Sequence, residues 1–225
     1  MSADHAATAE PTLDELRLIL APQVAVQAAF DGWSDTALEQ AAAAAGVPAA
    51  VARLAFASGA IDMIDAWIAS IDAQMEAAFA DGSLAGMKIR ERIRTLVLFR
   101  LEATAGRKEA LRRALAIMAL PSNAPQTLRM AWRSADVMWR LAGDTATDYN
   151  HYTKRAMLVG IYSATLAVFL DDETEHQEET RAFLERRIDG VMRFEKLKGQ
   201  LLRPREGFDL MRFLGRLRYP DKTGG

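Results

Sequence analysis

The stretch LEQAAAAAGVPAAVARLAF, residues 38–56, contains two short helix-forming runs separated by a single glycine. Alanine and leucine favour helix, whereas Gly46 suits the turn between the runs and Pro48 suits the first turn of the second helix. Two helices joined by so short a turn predict a helix-turn-helix. A further helix is predicted before it, ending near Phe30 and Gly32.

The predicted head, residues 12–80, begins with helices that resemble the N-terminal domain of TetR-type regulators, although a plain three-helix packing unit is the alternative. A repressor of that type needs lysines and arginines that neutralise DNA phosphates. The second helix of the pair offers Arg53 alone, and residues 1–87 hold 2 bases and 12 acids, a net charge of −10. We therefore predict a degenerate helix-turn-helix that does not bind nucleic acid.

The whole chain of 225 residues has a net charge of −2, is 50% hydrophobic and contains no cysteine. This composition predicts a folded protein of one domain with small appendages. It excludes disulfide scaffolds, thiol nucleophiles, cysteine-based zinc sites and iron–sulfur clusters. Residues 1–11 lack the features of a targeting segment and are predicted to be a disordered leader. No uncharged run reaches the roughly 18 apolar residues that a membrane span requires, so we expect no spanning helix.

The rest of the chain shows helical punctuation and no sustained alternation typical of a sheet, so we predict an all-α fold. After the head, the loop at residues 81–86 marks the point where the charge changes sign, because residues 88–225 carry 26 bases and 18 acids, a net charge of +8. About ten helices are expected, over residues 12–30, 37–45, 48–58, 59–79, 87–105, 108–120, 126–142, 147–170, 174–202 and 205–218.

Residues 136–184 contain a long pattern of matched positions. They include Trp139, Ala142-Gly143-Asp144, Thr147-Asp148-Tyr149-Asn150, Tyr152-Thr153-Lys154-Arg155, Ile161-Tyr162, Asp171 or Asp172, and Thr180 to Phe183-Leu184. This pattern resembles the lipid-binding accessory family of ubiquinone biosynthesis, the Coq-nine family. The resemblance is good over residues 81–202 and looser over the head.

The resemblance implies a TetR-like, non-enzymatic protein that has lost DNA binding and forms a homodimer. It implies that a helical domain, residues 87–202, holds an isoprenoid lipid or quinone intermediate and presents it to the di-iron demethoxyubiquinone hydroxylase at the membrane. A cytoplasmic protein peripherally associated with the bacterial inner membrane fits the missing targeting segment, although a processed organellar protein would look alike. The alternative function is a TetR-type transcriptional regulator with a hydrophobic effector.

The run from Met157 to Leu170 is almost wholly apolar, with Gly160 and Ser163 among larger side chains. A helix that is hydrophobic all round is predicted to be buried, and small residues leave room beside it. Core filling is one interpretation of this helix and, given the resemblance, a lipid cavity is the other. The candidate lipid-binding residues are Met138, Met157, Ile161, Thr165 and Phe169.

The preceding helix separates its residues by face. We predict an inward stripe of Leu128, Ala131, Ala135, Met138 and Ala142. Trp132 and Trp139 lie at its border, beside the arc that carries Asp136 and Arg140, and tryptophan and arginine are enriched at binding hot spots. Core anchoring of the tryptophans is the alternative. The resemblance implies that Asp136 and Trp139 contact the hydroxylase, and Arg140 departs from it because the family usually has an aromatic residue there.

The tail, residues 203–225, contains a predicted amphipathic helix with apolar residues on one side and arginines on the other. This pattern is typical of a helix that lies in an anionic membrane interface, although docking on the protein itself or on a dimer mate is the alternative. The candidate membrane-binding residues are Phe208, Leu210, Met211, Phe213, Leu214, Leu217, Arg212 and Arg216.

No pattern in the sequence predicts catalytic residues, a cofactor or a metal site. Glu173 and His176 have the spacing of one half of a di-iron motif, but the second copy and its extra glutamates are missing, so we predict a solvated helix start. Lys88, Arg90, Arg92 and Arg94 are predicted to form the solvated flank of a helix.

Overall fold

The structure is a computed structural model that describes residues 11–145 and 149–201. For residues 149, 150, 192 and 194–201 the structure describes the backbone only. The chain forms two compact units, Met1–Ile188 and Asp189–Gly225. Nearly all of the predicted leader and the whole predicted tail helix, with all eight candidate membrane-binding residues, lie outside the described residues.

The described residues contain nine α-helices and no strand, so the prediction of an all-α fold is confirmed. Single turns of 3₁₀-helix lie before α6, α7 and α9, and the predicted tenth helix falls outside the described part. The helices are α1 Leu13–Asp31, α2 Asp35–Ala44, α3 Ala49–Ala55, α4 Ala60–Ala78, α5 Ile89–Thr104, α6 Lys108–Met118, α7 Ala124–Leu141, α8 Tyr149–Asp171 and α9 Glu178–Leu201.

The helices of the head begin and end at the residues that the sequence marks. The Thr12 hydroxyl accepts a hydrogen bond from the Glu15 backbone N–H at 3.3 Å, and the Glu15 carboxylate accepts one from the Thr12 N–H at 2.8 Å, which completes a capping box. Ser34 caps α2 through the Ala37 N–H. Gly46 takes φ 69° in the turn between α2 and α3, a conformation that disfavours side chains. α3 is shorter than the predicted 48–58.

The head packs on the body through α1, which contacts α2, α4 and α6, while α4 also packs against α5 and α7. Trp33 and Trp67 meet at the centre of this contact with ring centroids 5.3 Å apart. The Trp33 indole N–H donates to the carbonyl of Ala110 on α6 at 3.0 Å. Residues from both halves of the described chain therefore share one hydrophobic core.

The predicted inward stripe of α7 is wrong at Leu128, which is 64% exposed. The buried residues of this helix include Met130, Ser134 and Val137 as well as the predicted Ala135 and Met138. The predicted Ala142, just after the helix, is also buried and Ala131 is half-buried, so the prediction fails only at the N-terminal end of the stripe. Ser134 is buried with its hydroxyl hydrogen-bonded to Asp72, and no hydrophobic pattern indicates such a residue.

The prediction that α8 is buried all round is also wrong. Its small residues Ala156, Gly160, Ser163 and Ala167 are exposed, whereas larger residues such as Phe169 are buried. The helix as a whole packs against α5 and α7. Among the described residues, His151–Asp171 of this helix is long and apolar enough to cross a membrane, with mean hydropathy 1.2. The expectation of no spanning helix considered only uncharged runs, and this segment contains charged residues. A partly buried core helix has the same length and composition.

Arg92 is not part of a solvated flank, contrary to the prediction for the basic residues at the start of α5. Its guanidinium donates to the backbone carbonyls of Met87 at 2.9 Å, Ala85 at 2.7 Å and Ala142 at 2.8 Å. Planar guanidinium groups present several donors at once, which suits them to collecting carbonyls. Arg92 thus joins the loop after α4 to the C-terminal end of α7.

Candidate functional site

A cavity of about 260 Å³ lies between α4, α5, α6, α7 and α8. Its lining is mainly leucine, isoleucine, methionine and alanine, with Trp67 from α4 and Tyr162 from α8 among the larger side chains. Ala119 after α6 and Ser163 on α8 also line it and are exposed, so the cavity has a mouth there. An apolar cavity with a few polar groups is the usual form of a small-molecule site.

The polar side chains of the lining include Arg100 on α5 and Ser134 on α7, which are 2% and 3% exposed, and also Thr104, Thr127 and Tyr162. The Arg100 guanidinium forms an ion pair with Asp72 of α4, and the Ser134 hydroxyl donates to the other Asp72 oxygen at 3.0 Å. The Tyr162 ring lies over the guanidinium, 5.2 Å from centroid to Cζ. Burial lowers the pKa of Arg100, but Tyr162 and Asp72 outweigh burial and raise it, so the charge is retained.

Of the five predicted lipid-binding residues, Met138 lines this cavity, and the α8 residues that line it are Val159, Tyr162, Ser163 and Leu166. The other four predicted residues lie on other faces of α8. Thr165 is fully buried and donates to the carbonyl of Ile161 at 2.7 Å. Phe169 is fully buried, with the Lys108 ammonium 4.6 Å from its ring centroid, and Met157 is half-buried.

Sequence reasoning missed Asp72, Arg100 and Ser134. One feature of the sequence could have indicated them. Arg100 continues the helical series of Val97, Leu101 and Thr104 that packs inward on α5, so it is a charged residue at a core position. A buried charge in such a series needs a partner, and a search for an aspartate on a neighbouring apolar stripe would have found Asp72. For Tyr162 the sequence indicated only that it is one of the positions that match the family pattern.

Three of the predicted partner-binding residues, Asp136, Trp139 and Arg140, form a patch near the C-terminal end of α7, and Trp132 lies about two turns earlier on the helix. Trp139 is half-buried against the core, and its indole N–H donates to the carbonyl of Lys154 at 3.0 Å. Arg140 is exposed and pairs with Asp136 at 3.0 Å and with Glu76 of α4 at 3.3 Å. Arg140 therefore finds its acidic partners, Asp136 and Glu76, within its own chain. Trp132 lies beside Tyr152 of α8, with ring centroids 5.9 Å apart.

Arg155 of α8 is buried behind this patch, with 2% of its surface exposed, and it holds the acidic residues in place. Its Nε donates to Asp136 at 2.7 Å, and its Nη1 donates to Asp144 at 3.2 Å and to the His151 carbonyl at 3.1 Å. Lys154 pairs with the second oxygen of Asp144 at 2.6 Å. These pairs explain why Asp144 and Lys154-Arg155 occur together in the motif, since they hold the end of α7 against α8.

The base on α3 is engaged within the head. Arg53 forms an ion pair with Glu39 of α2. The exposed large side chains of α3 are Val51 and Leu54, the latter 65% exposed. The surface that meets DNA in a helix-turn-helix therefore presents apolar groups and a paired arginine, where phosphate contacts require free cations.

Comparison with known proteins agrees with both resemblances. A family model described as COQ9 matches residues 124–195. Curated relatives include the mitochondrial ubiquinone biosynthesis protein COQ9 of Rattus norvegicus, 32% identical over 168 residues that make up 72% of this chain and 54% of that protein. The Homo sapiens protein of the same name is 31% identical over 72% of this chain and 52% of its own length. The chain thus spans about half the length of these curated relatives.

The solved structures include a similar fold. A TetR transcriptional regulator from Nitrosomonas europaea superposes with a TM-score of 0.61 over 77% of this chain and 96% of its own, at 22% identity. At that identity the likeness concerns the fold, and it confirms the prediction of a TetR-like architecture.

Proposed function

Residues 124–195 belong to the COQ9 family, and from this premise we propose that the protein is a non-catalytic accessory protein of ubiquinone biosynthesis. It binds an isoprenoid quinone intermediate and presents it to the di-iron demethoxyubiquinone hydroxylase at a membrane surface. The observation that carries the proposal is the apolar cavity between α4 and α8 with its mouth at Ser163. The names of the relatives support a role in this pathway, and the apolar cavity supports binding of a lipid.

Lipid binding is tested by closing the mouth of the cavity. Ser163 lines the cavity and is exposed, so Ser163→Trp is expected to obstruct entry without disturbing the core. Ala167→Trp is the matched control, because Ala167 is an exposed small residue one turn further along α8 that does not line the cavity. Native mass spectrometry and lipid extraction after purification should show bound lipid in the wild type and the control and much less in Ser163→Trp. Equal lipid content in the two variants would contradict this site.

The hydroxylase is proposed to dock on the patch of Asp136, Trp139 and Arg140, with Trp132 at its edge. The buried Arg155 fixes Asp136 from below, so the patch presents a defined arrangement of charges around an indole. Such pre-organised tryptophan and arginine groups are favoured at interfaces. Trp139→Lys is an ambiguous test, since Trp139 also packs against the core and bonds to Lys154.

A charge reversal at Arg140 tests docking more cleanly. Arg140 is exposed on α7, and Arg129 is an exposed arginine of the same helix about 16 Å away along its axis. We expect Arg140→Glu to reduce co-purification of the hydroxylase at least about tenfold. The substitution replaces the exposed positive charge of the patch by a negative charge beside Asp136, which removes the charge arrangement that the hydroxylase would meet. Arg129→Glu should leave co-purification unchanged. Equal recovery with both variants would reject this patch as the docking surface.

Membrane attachment is proposed for the tail, residues 203–225, on its sequence pattern of apolar residues and arginines. Co-sedimentation with anionic vesicles should fall when the chain is stopped after Leu202, and vesicles of neutral lipid should sediment little of either form. Equal sedimentation of both forms with anionic vesicles would reject attachment through the tail. The relatives are called mitochondrial in their names, whereas a bacterial inner membrane stays a prediction for this chain.

A homodimer is proposed to form about Ala156 and Gly160, exposed small residues in the first half of α8 that permit close approach of a second helix, with Ser163 and Ala167 outside the interface. No atom of the described residues lies within 4 Å of a Cβ built at Gly160, so Gly160→Leu fits within one chain. We expect the wild type to be a dimer by light scattering and Gly160→Leu to be largely monomeric. A dimer that persists in the variant would place the interface elsewhere.

A further inference from the structure

The mouth of the cavity lies where two uncharged stretches of the chain meet. Residues 114–128 run from α6 into α7, residues 156–170 make up most of α8, and neither stretch contains a charged side chain. Ala119 of the first stretch and Ser163 of the second line the cavity and are exposed. Two sides of the mouth are therefore built from surface without charges.

The first stretch also exposes large apolar side chains at the mouth. Leu120 follows the lining residue Ala119 and is 51% exposed, and Leu128 follows the lining residue Thr127 and is 64% exposed. The Thr127 hydroxyl donates to the carbonyl of Met118 at 2.9 Å, which holds the start of α7 against the end of α6. Leu120 and Leu128, here called the rim, are thus exposed leucines on ordered backbone beside an apolar opening. Grouped apolar side chains of this kind mark a contact surface.

The charges near the rim favour an anionic surface. Arg129 at the start of α7 is exposed, and no ion pair or hydrogen bond joins its side chain to the residues that the structure describes. Arg112 and Arg113, before the first stretch, share the acids Glu109 and Asp171. Three bases and two acids leave a net positive charge around the rim, and each base near an anionic lipid surface adds about 1 kcal/mol of attraction.

We propose that the rim, with Arg129 beside it, contacts the bilayer directly and is a membrane contact separate from the tail. The inference rests on the proposed function, since it identifies where a lipid passes between the bilayer and the cavity. Leu120 and Leu128 enter the boundary of the acyl chains while Arg129 stays at the lipid phosphates, which is the arrangement of interfacial helices. A lipid then enters between the two uncharged stretches without exposing its apolar chain to water.

Leu54 on α3 shows that exposure alone does not make such a contact. It is 65% exposed, almost the same as Leu128, but it lies in residues 1–87 with their net charge of −10. An anionic bilayer repels that part of the chain. The two leucines are therefore a matched pair that differs in surrounding charge and in closeness to the cavity.

The absence of cysteine from the chain permits a label at a single position. Leu128→Cys is the tested variant and Leu54→Cys is the control, each in the full chain and each carrying an environment-sensitive nitrobenzoxadiazole dye. The probe is a vesicle of phosphatidylcholine and phosphatidylglycerol, with and without a lipid that carries a quencher in its upper acyl chain. Thermal unfolding shows that each labelled chain is folded.

We expect the emission at position 128 to rise at least about twofold on these vesicles, because the dye leaves water for the acyl boundary. The quenching lipid should remove that rise, and the emission at position 54 should stay unchanged. Equal responses at the two positions would overturn the rim contact, and so would no response at position 128 while the chain sediments with the vesicles. A response at position 128 to the purified hydroxylase without vesicles would assign the rim to a protein and would also overturn it.

Arg129→Glu in the labelled Leu128→Cys chain tests the charge. We expect the vesicle concentration at half-maximal response to rise at least about fivefold, because an attraction at the lipid phosphates becomes a repulsion. An unchanged concentration would overturn the part given to Arg129. All of these outcomes leave lipid binding in the cavity standing, whereas a wild type that neither carries lipid nor takes it up from vesicles would overturn the proposed function itself.

Discussion

Arg100 and Arg155 are both 2% exposed and both pair with aspartates, yet their surroundings differ. Arg155 bonds to Asp136, Asp144 and the His151 carbonyl, so it closes the junction of α7 and α8. Arg100 pairs with Asp72 and keeps a buried Nε that finds no partner in the described part of the chain. A buried charge with a full set of partners fixes structure, whereas a buried charge with an unpaired donor leaves part of its hydrogen-bonding capacity unused.

The largest effect is expected where the buried charge is best satisfied. Arg155→Met leaves the acceptors of Asp136 and of the 5% exposed Asp144 short of a donor, so we expect a loss of about 3 kcal/mol in the free energy of unfolding. Denaturant unfolding measures this loss. Arg140→Met, at an exposed pair of the same Asp136, is the control and should cost less than about 1 kcal/mol. Equal costs would remove the distinction between the two arginines.

A smaller effect is expected at Arg100, and it should be recoverable. Arg100→Met leaves Asp72 with Ser134 and Arg133 as neighbours, so we expect a cost of about 2 kcal/mol in the free energy of unfolding. Adding Asp72→Leu should return most of that cost, because the pair is then removed as a whole. Chemical denaturation of both variants checks this, and a double variant less stable than the single one would contradict it.

The smallest effect concerns Asp172, a buried charge satisfied by neutral donors. Its carboxylate accepts from the Thr180 N–H at 2.8 Å and from the Thr174 N–H at 2.9 Å. Burial alone would raise the pKa of Asp172, but the hydrogen bonds from Thr174 and Thr180 outweigh burial and lower it well below its usual range. The stabilisation is therefore present above the ordinary pKa of 3.8 and is lost as the pH falls through the lower folded value.

The pH dependence of Asp172→Asn tests that sign. The variant should be less stable than the wild type at pH 7, and the difference between their free energies of unfolding should shrink as the pH falls below about 4. Denaturant unfolding across this range checks it. A difference that grows on acidification would contradict the lowered pKa.

The helices were predictable from the sequence because their signals are local. The Thr12–Glu15 capping box, the Ser34 cap and Gly46 all act within a few residues of their position. Of the predicted lipid-binding residues, Met138 lines the cavity, whereas those on α8 lie on a different face from the α8 residues that line it. That face depends on which neighbours cover the helix, and a sequence that is apolar on every side does not record it.

The polar residues of the site could not be predicted from local sequence signals, for a different reason. Asp72, Arg100 and Ser134 belong to three helices, and their pairing appears only when α4, α5 and α7 are packed together. In contrast, Asp136, Asp144 and Arg155 were present in the motif as matched positions, and the structure supplies the ion pairs that link them.

The ion pair between Arg53 and Glu39 also bears on the history of the fold. If an ancestor of the head bound DNA, regaining that activity would take more than one substitution. Arg53 would first have to be released from Glu39. The net charge of −10 over residues 1–87 would still repel phosphates, and five replacements of an acid by a base would be needed merely to cancel it. If the head has lost DNA binding, single mutations are therefore not expected to restore it.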